Sequence, residues 1–248
     1  MLDVSMTSDH VAVVAMARPP VNALDLELAT ALAETFPALA EQGATAAVLT
    51  GNGRVFSAGV DLRALTERGP EYVDDFLQAL SAAFAAVTDC PLPVVAAIEG
   101  PAIAGGCILG CAADLTLVAA DRGRVGLTEL AVGVPFPPIA MELVRYRTGE
   151  RAPRLVWTAA VLDAQASVDA GFADAVVDDK ALVDTAVSEA RRLAAIPPEV
   201  FRMTKAQLHA PLRERRGAAA DDTGEIHRLW RSEPVRAAVD RFVEENLR

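Results

Sequence analysis

The chain has 248 residues, 23 Lys and Arg against 34 Asp and Glu, a formal net charge of −11, and 52% hydrophobic against 23% charged residues. That length holds one large domain with a well-buried core, and the composition excludes a disordered chain, whose signature is the reverse. The acidic balance speaks against nucleic acid or an anionic membrane surface as the main partner, since both select excess Lys and Arg. An anionic small molecule needs only a few local cations. Cys90, Cys107 and Cys111 are too few for a disulfide framework, and three histidines leave little for a metal site. Met1-Leu2-Asp3-Val4-Ser5 lacks the basic start and apolar run of a signal peptide. The expectation is a cytoplasmic protein with reduced thiols.

His10 to Met16 is a β-branched run that stops at Arg18-Pro19-Pro20. After Asn22, Leu28, Leu32, Phe36 and Leu39 share one helical face, and Gly43 follows. Thr45 to Thr50 reads as a buried strand closed by Gly51-Asn52-Gly53. Tyr72 to Val87 is an amphipathic helix with Phe76, Leu80, Phe84 and Val87 as its stripe. Pro93 to Glu99 follows as a strand, Gly105 to Ala113 as a short helix and Leu115 to Ala119 as another strand. Repeated strand–helix–strand alternation predicts an α/β protein.

From about Met141 the pattern turns helical, apart from a strand-like Ala175 to Val177. Pro197-Pro198 is the best boundary, dividing a core of residues 1–196 from a helical region of residues 197–248. There Glu199 to Ala210 and Thr223 to Leu247 read as helices, joined by Leu212 to Asp222 as an exposed mobile loop or frayed helix. The last helix carries Ile226, Trp230, Val235, Val239 and Phe242, too much apolar surface to stand in water. It must pack on the body or on another subunit.

Several chemistries fail on spacing. There is no Gly-Lys pair for a P-loop, Gly51 to Phe56 lacks the third glycine of a dinucleotide fingerprint, and Val55 stands where a nucleophile elbow needs glycine. His10, His209 and His227 have no Cys or carboxylate at ligand spacing. Cys107 and Cys111 share a helix face, open to a metal or redox pair but more in keeping with small core residues. Two glycine-centred turns remain, Phe56-Ser57-Ala58-Gly59-Val60-Asp61-Leu62 and Glu99-Gly100-Pro101-Ala102-Ile103-Ala104-Gly105-Gly106-Cys107. Each follows a strand, and the second opens a helix with its unpaired N–H groups and positive dipole end. They are plain strand-to-helix turns or, aimed at one point, an oxyanion hole.

These two turns, Arg18-Pro19-Pro20-Val21-Asn22-Ala23-Leu24, and the segment Asp163 to Val177 together resemble the enoyl-CoA hydratase/isomerase (crotonase) superfamily, in order and over nearly the whole chain. The resemblance implies an α/β crotonase-like spiral of stacked ββα units with a C-terminal helical trimerisation region, hence a homotrimer or dimer of trimers. It implies an acyl-CoA thioester substrate, with coenzyme A entering as part of that substrate and no other cofactor or metal. It implies that the N–H groups of Val60 and Gly105 hold an enolate-type oxyanion, each such donor supplying about 3–4 kcal/mol of transition-state stabilisation. Asn22, Ala23, Leu24, Ser57, Ala58, Gly59, Asp61, Leu62, Gly106 and Ile108 are then expected to contact substrate, with Val132-Gly133-Val134-Pro135-Phe136 walling an acyl pocket whose other walls come from Ala64 to Phe84 and the C-terminal helices. Lys205 resembles a recurrent family lysine; it, Arg241 or Arg248 is expected near the CoA phosphates.

Family hydratases carry two glutamates, one just after the Gly-Gly-Cys turn and one on the following loop. Ile108 takes the first position and can neither move a proton nor hold a water; Glu129 matches the second. Family isomerases resemble this chain in having an aliphatic residue at the position of Ile108. Hydration shares its work between two groups, whereas moving a double bond from C3 to C2 needs one base. The expected reaction is therefore 3-enoyl-CoA to 2-enoyl-CoA isomerisation by Glu129, its pKa raised by an apolar pocket beside Ile108 and Leu130. The alternatives are a hydratase drawing a second acid from Glu99 or Glu142, and a non-catalytic acyl-CoA binder.

Overall fold

The computed structural model describes residues 1–218 and 222–246. Its strands are β1 (Leu2–Met6), β2 (Val11–Met16), β3 (Ala46–Thr50), β4 (Val94–Ile98), β5 (Pro101–Ile103), β6 (Leu115–Ala119), β7 (Arg124–Gly126), β8 (Val161–Asp163) and β9 (Ala175–Val177). One sheet has the order β1-β2-β3-β4-β6-β9, with only the β1–β2 pair antiparallel. The other has the order β5-β7-β8, parallel between β5 and β7 and antiparallel between β7 and β8.

Strands β3 and β4 are buried along their whole length, and apolar but for Thr50, because both faces of the sheet are covered. The strand period of two sends Val11, Ala46, Val48, Val95 and Ala97 to the face under the Leu182–Ala194 helix, whose Leu182, Ala186 and Ala190 recur every fourth residue. Ala12, Val14, Ala47, Leu49, Ala96 and Ile98 face the main core. There the Leu26–Ala38 helix, capped by Asp25 accepting from Leu28 N (2.9 Å), packs on the Pro70–Thr88 helix. The stripe Val73, Phe76, Leu77, Leu80, Phe84 and Val87 is buried there, each large side chain contributing roughly 1.5–3 kcal/mol.

The C-terminal region sharpens the sequence expectation once and departs from it once. Of the two readings of the joint, loop or frayed helix, Ala210–Ala218 is helical, because Leu212 is buried and Arg215 pairs with Glu142. Tertiary anchoring overrides its polar composition; positions 219–221 of that joint lie outside the described residues. The last long helix is two, Thr223–Trp230 and Glu233–Asn246. Pro234 explains the break, since it has no N–H to donate and its ring clashes with a preceding helical turn. Ile226, Trp230, Val235, Val239 and Phe242 pack on the body of the same chain. Leu247 and Arg248 lie outside the described residues. Among the described residues no helix is long and apolar enough to cross a membrane.

Candidate active site

Three parallel contacts bring distant loops to one edge. Leu24 bridges Val60, Ser57 bridges Ala102, and β5 meets β7 with Ile103 opposite Gly126. Parallel neighbours finish on the same side, so Val60, Gly105 just past Ile103 and Glu129 just past Gly126 emerge together. That is the carboxyl edge, where open parallel sheets receive ligands.

Leu24 N donates to Gly59 O (2.7 Å) and Asp61 N donates to Leu24 O (2.9 Å), which turns the intervening Val60 N–H to the opposite side. It has no acceptor among the described residues. Gly59 sits at φ +86, and a Cβ there would lie 2.7 Å from Ile103 O and 3.5 Å from Gly105 N, so glycine alone lets the two turns meet. Ala104 adopts φ 49 and ψ −120, a backbone state that costs a non-glycine residue on the order of 1–3 kcal/mol. Ala104 N donates to Gly126 O (2.8 Å) and Ile108 N to Ala104 O (3.0 Å), holding that state. Gly105 thereby opens the Gly105–Ala112 helix with its N–H unpaired among the described residues, at the positive end of the dipole.

A cavity of about 710 Å³ lies at this edge, walled mainly by apolar groups that include Leu80, Phe84, Ile108, Val132, Val134 and Trp230. Glu129 enters this wall on a single helical turn, Glu129–Val132, closed by Gly133 in the left-handed region. Its carboxylate is buried, and among the described residues Oε2 has no hydrogen-bond partner. Burial pushes its pKa up from 4.5 to about 8, opposed only in part by the N–H groups of Glu129 and Thr128. A buried base facing two unpaired N–H donors can remove a proton from carbon beside a carbonyl while the oxygen takes the charge.

Residues 6–247 match the family model for enoyl-CoA hydratase/isomerase. The chain belongs to that family. A putative enoyl-CoA hydratase of Thermus thermophilus is 35% identical over 213 residues, 84% of this chain and 83% of that protein. The human mitochondrial enoyl-CoA delta isomerase 1 is 30% identical over 202 residues, 80% of this chain and 67% of that protein. The crystal structure of human mitochondrial delta3-delta2-enoyl-CoA isomerase superposes with a TM-score of 0.92 at 26% identity, covering 98% of this chain and 96% of that one. The fold is thus the α/β crotonase fold with helices at the C-terminal end, as the motifs implied.

Within this family member, Ala23, Ala58, Val60, Asp61, Leu62, Gly105, Ile108, Glu129 and Pro135 line the cavity. Asn22, Leu24, Ser57, Gly59, Gly106 and Phe136 stand behind the wall instead. The Asn22 amide donates to Val55 O (3.1 Å) and Phe56 O (3.0 Å), and Ser57 Oγ donates to Asn22 O (2.7 Å). A Cβ on Gly106 would lie 2.5 Å from Ser57 O, so its glycine serves helix-to-loop packing. Lys205 requires correction: it is buried, paired with Asp114 (2.9 Å), and lines a separate cavity of about 180 Å³ beside His209. A buried long side chain with a half-buried partner of opposite charge is held as an internal tie. Leu130 turns outward at 39% exposure rather than flanking Glu129.

Val132 and Val134, expected in the acyl-pocket wall, line the cavity, whereas the sequence did not mark Thr128 or the exposed Arg63 and Asn246 as part of it. Leu80, Phe84, Trp230 and Phe242 fall in the Ala64 to Phe84 region and the C-terminal helices expected to supply pocket walls, but which of their residues line it depends on what faces them. Cys107 and Cys111 are buried beside one another, and burial pushes the Cys107 thiol up. Glu99 accepts from Thr50 Oγ1 and from Gly51 N (2.9 Å), and Glu142 is held by Arg145 and Arg215. Neither lines the cavity.

Proposed function

We propose that this family member converts 3-enoyl-CoA to 2-enoyl-CoA, with Glu129 as its only acid–base group. The observation that carries the reading is the cavity's carboxylates. Among the described lining residues these are Glu129 and Asp61, and Asp61 is engaged in capping the next helix through Ala64 N (3.0 Å). Ile108 supplies no second group to activate water.

The Val60 and Gly105 N–H groups polarise the thioester carbonyl. Ionised Glu129 takes a proton from C2, the electrons move onto oxygen as a dienolate, and the Glu129 carboxyl returns a proton at C4. A carboxylate with a pKa of about 8 is a stronger base than one in water and a ready acid once protonated. The apolar walls exclude water from the intermediate.

Hydration is the second reading, favoured by the name of the Thermus relative. Coenzyme A enters only as part of the substrate, and the reaction calls for no further cofactor, nucleic acid or membrane. We assign residues 1–196 to the catalytic spiral and 197–248 to the assembly region of a homotrimer or dimer of trimers in the cytoplasm. Val200, Met203 and Leu208, exposed together on the Pro198–Leu208 helix, support such a contact. Parallel assays with a 3-enoyl-CoA and a 2-enoyl-CoA test the reaction. Isomerisation without hydration is expected. Substantial hydration overturns the single-base mechanism, and binding without any turnover makes the protein an acyl-CoA binder.

A further inference from the structure

Trp230 is a wall shared by two spaces. On one side lies the catalytic cavity; on the other is a cleft of about 20 Å³ lined by Leu65, Val73 and Val239 together with Arg68, Arg231 and Arg236. The indole is 5% exposed and its Nε1 donates to Pro135 O (3.0 Å). Its helix is clamped to the Pro70–Thr88 helix through Asp74, which meets His227 Nδ1 (2.9 Å) and Arg231 (2.8 Å). Packing, the indole hydrogen bond and the two contacts to Asp74 leave the ring one position.

We propose that Trp230 sets the longest acyl chain this protein accepts. The inference rests on the acyl-CoA reading above. A hydrocarbon tail gains from each methylene it buries along the apolar wall, roughly fourfold in affinity per methylene, until it meets the indole. Without the indole, its own volume joins the cleft, where Leu65, Pro70, Val73 and Val239 give a tail further apolar wall between the arginine stems. The competing exit past Pro137 leads into a cavity of about 560 Å³ where Leu77, Ile139 and Ile226 alternate with Asp74, Asp75 and Arg216, and a tail taking that course would be indifferent to the size of residue 230.

The test is calorimetric binding of saturated straight-chain acyl-CoAs of increasing length to wild type, Trp230→Phe, Trp230→Leu and Trp230→Ala. Wild type and Trp230→Phe should gain roughly fourfold per methylene and then plateau at the same length. Trp230→Leu should plateau later and Trp230→Ala later still. If Trp230→Ala melts below the assay temperature, the delayed plateau of Trp230→Leu carries the test. Superimposable profiles in wild type and the smaller variants, or a uniform weakening at every length, overturn the proposal. If wild type binds no acyl-CoA at all, the acyl-CoA reading fails and this inference fails with it. An unmoved plateau in a wild type that does bind acyl-CoA overturns the role of Trp230 alone.

Discussion

Glu99 and Glu129 are both carboxylates following a strand of the parallel layers, and both are nearly sealed from solvent, 4% and 7% exposed. Their surroundings differ in donors. Glu99 receives Thr50 Oγ1 and Gly51 N, both oxygens sharing the latter at 3.1 and 2.9 Å. Glu129 keeps Oε2 unpartnered among the described residues and faces Ile108 and the apolar wall. A carboxylate with its lone pairs engaged ties two strand ends together. One with an oxygen left unpartnered in an apolar wall has a raised proton affinity, which is the property a base requires. Burial by itself does not separate structure from chemistry; the donor set does.

The largest expected effect comes from removing the unpartnered carboxylate. Glu129→Gln should lower isomerase kcat by about 10²–10⁴-fold while acyl-CoA affinity stays within a few-fold. Retained turnover would place the base elsewhere and dissolve the contrast. Next is Gly59→Ala, which sets a Cβ 2.7 Å from Ile103 O at a φ of +86 and drives the two turns apart. Displacing one oxyanion donor should cost about 10²–10³-fold in kcat, and an unchanged kcat would show that the donors lie elsewhere.

The raised pKa makes two pH predictions. Since Glu129 must be ionised to act, kcat/KM should climb as pH rises and level off above about 8. Stability runs the other way. The native state holds the Glu129 proton more tightly than the unfolded chain, so wild type should lose stability relative to Glu129→Gln as pH rises from 4.5 to about 8. The loss should be on the order of a few kcal/mol in urea titrations, and parallel pH profiles for the two proteins would contradict it. The smallest effect is at the satisfied carboxylate. Glu99→Ala should cost about 1–3 kcal/mol in stability by orphaning the Thr50 hydroxyl and Gly51 N–H, with kcat per folded molecule little changed. A large loss of kcat at intact stability would make Glu99 part of the chemistry.

Much of this was legible in one dimension. Strands β2, β3 and β4 and the Pro70–Thr88 helix announced themselves because apolar period and β-branched composition are properties of neighbouring residues. The glycines at 59 and 105 and the carboxylate at 129 were also visible, since backbone freedom and side-chain chemistry travel with the residue. Strands β5, β7 and β8, three residues each, were not: segments that short take their shape from the partners they pair with. Nor could sequence tell that Lys205 closes on Asp114, that Glu142 is claimed by Arg145 and Arg215, or that Trp230 backs the cavity. By itself, then, the sequence determined which groups were available and which turns could bend. The tertiary structure decided which carboxylate kept an unpartnered oxygen in an apolar wall, because a side chain's partners and dielectric come from residues far away along the chain.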